Sequence, residues 1–114
     1  MSKTHDFEIQ FLESILKRTP RYPEAINLLG TLYTLEGRLD DGLKMDRKLT
    51  KLEPHNPTAF YNLACSLALK NQKRQALKVL QTAVDLGYDD IDWLRKDKDL
   101  FSLHSEVAFQ AILA

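Results

Sequence analysis

The sequence predicts an all-α fold, an α-α superhelix in which short helices pack as successive antiparallel pairs. Two observations carry that prediction. First, the stretch from Pro57 to Tyr88, PTAFYNLACSLALKNQKRQALKVLQTAVDLGY, has apolar residues at helical spacing (Phe60, Leu63, Ala64, Leu67), a polar break at Asn71-Gln72-Lys73, and a second stripe at Ala76, Leu77, Leu80, Ala83 and Val84. Two amphipathic helices joined by a short turn follow. Second, the same pattern begins 34 residues earlier at Pro23, without a gap: Ile26 answers Phe60, Leu29 answers Leu63, Gly30 answers Ala64, Tyr33 answers Leu67, Gly42 answers Ala76 and Leu49 answers Ala83. Small residues recur where two helices must approach closely, because larger ones would overpack the contact.

A fixed period of this length with one helix–turn–helix per period resembles the tetratricopeptide repeat family over Pro23 to Tyr88, which implies a right-handed solenoid and a protein-binding role. The matching residues are packing residues, so the resemblance says much about fold and little about the partner.

From Asp6 to Arg18, Phe7, Ile9, Phe11, Leu12, Ile15 and Leu16 give a broad helical face that Thr19-Pro20 ends, because a residue before proline avoids helical geometry. This leading helix, 6–19, stands where the second half of a preceding repeat would be, with Glu8 in place of the expected small residue. A second helix runs from Pro23 to Leu35, with Gly37 past its end as a cap. A third, Asp40 to Leu52, starts with acids that suit the helix dipole and ends before Pro54. Its Asp46 takes the slot that Leu80 fills in the next repeat, and the expectation is an edge carboxylate paired with a neighbouring Lys or Arg. Repeats are thus expected at 23–56 and 57–90 of one domain spanning 1–114, the second ending near Gly87. The remainder, 91–114, is not a third copy, since Asp97 and Lys98 fall where leucine and a small residue should be. There Asp89 and Asp90 read as N-cap signals for a short helix over Ile91 to Lys96, and Ser105 as the cap of another across Val107, Phe109, Ile112 and Leu113. Trp93, Leu94, Leu100, Phe101 and Leu103 are expected to cover the open flank of the fifth helix, because a stack otherwise ends in an apolar face.

Composition narrows the function. Sixteen basic and sixteen acidic residues cancel, which argues against nucleic acid or an anionic membrane as partner. No apolar run reaches the roughly 18 residues needed to span a bilayer, MSKTHDFE lacks the apolar core of a secretory signal, and the single cysteine, Cys65, suits a reducing compartment. A cytoplasmic location is the expectation. His5, His55 and His104 are scattered and read as solvated surface residues, so no metal, cofactor or catalytic site is expected. Cys65 has no histidine near it and reads as a small apolar residue. The four glycines are isolated and form no phosphate loop.

What remains is a binding surface. In a stack of helix pairs the first helix of each pair lines the concave side. The residues between the packing stripes are Glu24, Asn27, Thr31, Thr34 and Leu35 in the first repeat and Thr58, Tyr61, Asn62, Cys65 and Leu69 in the second. A partner-binding groove is therefore expected over Asn27, Thr31, Thr34, Tyr61, Asn62, Cys65 and Leu69, neutral and suited to an extended peptide. Some relatives clamp an acidic C-terminal peptide with lysines, an arginine and asparagines. Only Asn62 matches that pattern here, so such recognition is not expected. The predicted role is a protein–protein interaction module, an adaptor or assembly factor, present as a monomer or weak homodimer. The rival is a structural subunit that self-associates through the groove or its helix faces and has no separate ligand.

Overall fold

The computed structural model describes residues 5–114; the first four residues of the expected domain lie outside them. Helices account for every regular element among the described residues: α1 (Asp6–Arg18), α2 (Pro23–Leu35), α3 (Leu39–Leu52), α4 (Pro57–Leu69), α5 (Lys73–Asp85), α6 (Ile91–Lys96), a 3₁₀ helix (Lys98–Leu103) and α7 (Val107–Leu113). Two compact units are formed, one ending at Pro54 and one running from His55 to Ala114.

The interval seen in the sequence recurs in the helix starts: α2, α4 and α6 begin 34 residues apart, as do α3 and α5. Proline opens both α2 and α4, where its missing N–H costs nothing. Asn56 caps α4 by accepting from the amides of Thr58 and Ala59 at 3.0 and 3.4 Å. The exits are alike too. Gly37 and Asn71, again one interval apart, hold φ of +80° and +60°. The following amides reach back to Tyr33 O at 2.8 Å and Leu67 O at 2.9 Å, satisfying carbonyls that the helix end would leave bare. Glycine meets this left-handed position without strain, and asparagine is among the few other residues that tolerate it.

In the first unit, α2 packs against both α1 and α3. Ile9, Leu12, Ala25, Leu29, Leu32 and Tyr33 form its core, with Ile15, Leu16 and Met45 against it. Tyr33 donates its hydroxyl to Glu13, and burial and the carboxylate together make the phenol hard to ionise, pushing it up to about 12. The expected small-residue contact lies between α2 and α3. A Cβ on Gly42 would fall 2.4 Å from Thr34 Oγ1 and 3.2 Å from the Gly30 carbonyl oxygen, so the helices are too close there for a side chain. Asp46 departs from expectation: it is buried in this contact, with Oδ1 3.1 Å from where a Cβ of Gly30 would stand. The missing side chain of Gly30 makes the room that an edge position was expected to supply.

In the second unit α4 and α5 form the tightest pair, with Ala64, Leu67, Ala76, Leu80 and Ala83 fully buried. The C-terminal segment closes over both helices. Its 3₁₀ helix lies mainly on α4, and α7 packs on α5, so the cover is not confined to the flank of the fifth helix. Leu94, Leu100, Leu103 and Phe109 are fully buried, whereas Trp93 and Phe101 stay about half exposed, at 48% and 55%. The two aromatics expected in the lid thus stand outside it: Trp93 lies on the open side of α6, next to the buried Leu94, and Phe101 on the open side of the 3₁₀ helix, whose Leu100 and Leu103, three residues apart, turn in. Asp90 caps α6 as expected, accepting from the Trp93 amide at 3.1 Å. Ser105 does not cap α7: the N-cap position is Glu106, which makes no side-chain cap bond. His104 also differs from a solvated residue, since its ring is stacked 5.0 Å from Phe109 and meets the Phe101 ring edge-on at 5.1 Å.

Candidate functional site

The open face of α2 follows from how the helix is used. Ala25, Ile26, Leu29, Gly30, Leu32 and Tyr33 are all buried, which leaves Glu24, Asn27, Leu28, Thr31 and Leu35 outside. Glu24, Leu28, Thr31 and Leu35 follow one another at steps of four, three and four residues and so form one stripe. Two leucines in it are strongly exposed, Leu28 at 50% and Leu35 at 66%. Thr31, exposed between them, donates its hydroxyl to the Asn27 carbonyl at 3.1 Å. Thr34, expected on this face, instead bonds the Gly30 carbonyl at 3.1 Å and fills the space over Gly42, so it is part of the helix contact. Leu28 was not among the expected residues, although the four-three-four stripe through Glu24 and Leu35 contains it.

The corresponding face of α4 is closed. Tyr61 and Cys65, expected to line an open groove, are only 6% and 7% exposed. Asp97 reaches down between them from the turn before the 3₁₀ helix, accepting from the Tyr61 hydroxyl and lying 3.7 Å from Cys65 Sγ. Its other oxygen accepts the Asp99 amide at 3.0 Å and caps the 3₁₀ helix. Tyr61 is further held by Tyr88, whose ring is stacked on it at 4.5 Å. Ser102 donates to the Ala68 carbonyl at 3.4 Å, tying the far end of the same segment to α4. Asn62 is half-buried and Leu69 is exposed at the helix end. Of the seven expected groove residues, Asn27, Thr31 and Leu69 therefore face solvent, Asn62 and Thr34 do so in part, the latter engaged in the helix contact, and Tyr61 and Cys65 do not.

Cys65, Asp97 and Asp99 each bring one potential ligand atom to within 4.8 Å of the others. The same groups are joined by hydrogen bonds, from Tyr61 and Cys65 to one oxygen of Asp97 and from the Asp99 amide to the other. Burial pushes the Cys65 thiol up, and the Asp97 charge adds to the shift, so the sulfur keeps its proton and serves as a donor. Burial likewise raises the Tyr61 phenol. Asp99 is raised by burial first and by the Asp97 carboxylate second. The result is a carboxylate latch in which protonated donors converge on Asp97, and a thiol in that setting is a poor nucleophile. Position 97 is where the repeat would place leucine, so the sequence signal was a broken stripe and not a recognisable motif. We expect Asp97→Asn to lower stability by about 1–2 kcal/mol, since charge-assisted bonds give way to neutral ones. Urea unfolding with a midpoint unchanged from the parent would remove the latch from the account.

No helix among the described residues is long and apolar enough to cross a membrane. No family model matches the chain. It is 26% identical over 110 residues to a chloroplastic protein of Arabidopsis thaliana, a match over 93% of this chain and 33% of that protein. It is 36% identical over 67 residues to a TPR repeat-containing protein of Picosynechococcus sp. (strain ATCC 27264 / PCC 7002 / PR-6), over 59% of this chain and 17% of that protein. The chain thus spans a third or less of the length of these curated relatives. The likeness to a protein bearing the repeat's name, together with helices paired at a 34-residue interval, fits a tetratricopeptide-like protein.

Proposed function

We propose that this chain is a protein–protein interaction module of the tetratricopeptide type, and that the exposed stripe of α2 is where a partner segment docks. The observation that carries the reading is the pair Leu28 and Leu35, two large apolar side chains left in water on a helix whose other apolar residues are buried. Flanked by Asn27 and Thr31, they offer apolar contact beside amide and hydroxyl groups, a mixture suited to an extended peptide backbone with apolar side chains. The name of the Picosynechococcus relative supports the repeat type. The name of the Arabidopsis relative points to a plastid as an alternative to the cytoplasm for the compartment.

The test is a double variant, Leu28→Asp with Leu35→Asp, set against a partner recovered from the native cell extract. Both side chains are exposed, so helicity should stay at the parental level, while affinity should fall at least about tenfold, roughly 1.4 kcal/mol. Because the stripe is largely uncharged, affinity should change little with salt. A partner that binds the folded double variant as tightly as the parent, or that is lost steeply with salt, would move the site to a charged face.

A further inference from the structure

We infer that the outer face of α1 is a self-association surface on which a second copy of this chain docks antiparallel. This is independent of the α2 stripe. α1 has two apolar faces. Ile9 and Leu12 point into the core, and directly opposite them Phe7, Phe11, Ser14 and Arg18 follow at steps of four, three and four along the outside. Phe7 is 77% exposed and Phe11 57%, with their rings stacked nearly parallel at 6.3 Å. Two stacked phenyl rings in water are a costly arrangement unless something covers them.

Charge identifies the occupant. Asp6 and Lys17 lie on the same edge of this stripe, near opposite ends of the helix, and both are exposed. A second α1 laid parallel would set acid against acid and amine against amine. Laid antiparallel about a twofold axis between Phe11 and Leu12, it sets Asp6 level with Lys17 of the second copy, twice over. The same register brings the two Phe11 rings together and seats each Phe7 beside Ser14 and the guanidinium of Arg18 from the other copy. Antiparallel helix dipoles add to the preference. The stripe therefore carries its own complement, which a foreign helix would match only by coincidence. One helix face is a small interface, below about 1,200 Å² in total, so the dimer is weak, with a dissociation constant on the order of 0.1 mM.

Sedimentation equilibrium of the full chain, from about 10 µM to about 1 mM, reads this directly. Dimer should appear toward the upper end, and Phe11→Ser should weaken it at least about tenfold with an unchanged melting curve, because the ring is exposed. Asp6→Lys and Lys17→Asp should each weaken self-association, and an equimolar mixture of the two should recover it as a heterodimer, since every edge contact is then between opposite charges. A chain that stays monomeric throughout the range overturns the inference, including one whose α1 face binds a different protein. So does a dimer indifferent to Phe11→Ser, or a mixture that associates no better than its parts.

Discussion

Removing everything after Tyr88 should collapse the second unit. The deleted segment contains Leu94, Leu100, Leu103 and Phe109, each with no exposed surface. Burying one such side chain contributes about 1.5–3 kcal/mol, so losing several approaches the whole stability of a small domain, about 5–15 kcal/mol. The deletion also uncovers α4 and α5 where the 3₁₀ helix and α7 lay, and strips the Asp97 acceptor from Tyr61 and Cys65. The expected result is aggregation or partial melting, visible as lost helicity by circular dichroism and as high-mass species by light scattering. A monomeric truncation with the parent's helicity and melting temperature would make the tail a separate arm and not a lid.

How far the sequence foretold this architecture varies with the kind of residue. Helix positions were legible because a fixed interval repeats both the apolar stripes and their punctuation, so that Gly37 and Asn71 mark equivalent exits. The start of α3 fell one residue from expectation, at Leu39. The tail was legible as a lid but not in its geometry. Once Asp97 broke the stripe, nothing in the spacing told which of Leu100 and Phe101 would turn inward, since that depends on the 3₁₀ turn at Lys98. The burial of Tyr61 and Cys65 was hidden for a related reason: the Asp97 carboxylate that reaches between them comes from more than thirty positions away, outside the repeat. Asp46 shows the converse limit. A carboxylate looks like an edge residue until the absent side chain of Gly30 is seen to leave space for it.

Ala76→Phe should produce the second large loss, at least about 3 kcal/mol, the upper end of the usual overpacking range. Ala76 has no exposed surface and lies in the first turn of α5, the helix that packs on α4. Its counterpart in the first unit is Gly42, where even a methyl group would meet Thr34 Oγ1 at 2.4 Å. There the Gly30 carbonyl oxygen, a backbone atom that cannot turn aside, also stands 3.2 Å from that methyl, and at the equivalent, fully buried position of Ala76 a phenyl ring has no room. Either the helices separate, uncovering Ala64 and Leu80, or the ring is expelled and the first turn of α5 unwinds. Ala76→Ser separates size from hydrophobicity: it adds one small polar atom in nearly the same volume and should cost far less than the ring. Thermal and urea unfolding of both variants give the answer, and a phenylalanine variant melting within a degree of the parent would show that α4 and α5 do not meet at this residue.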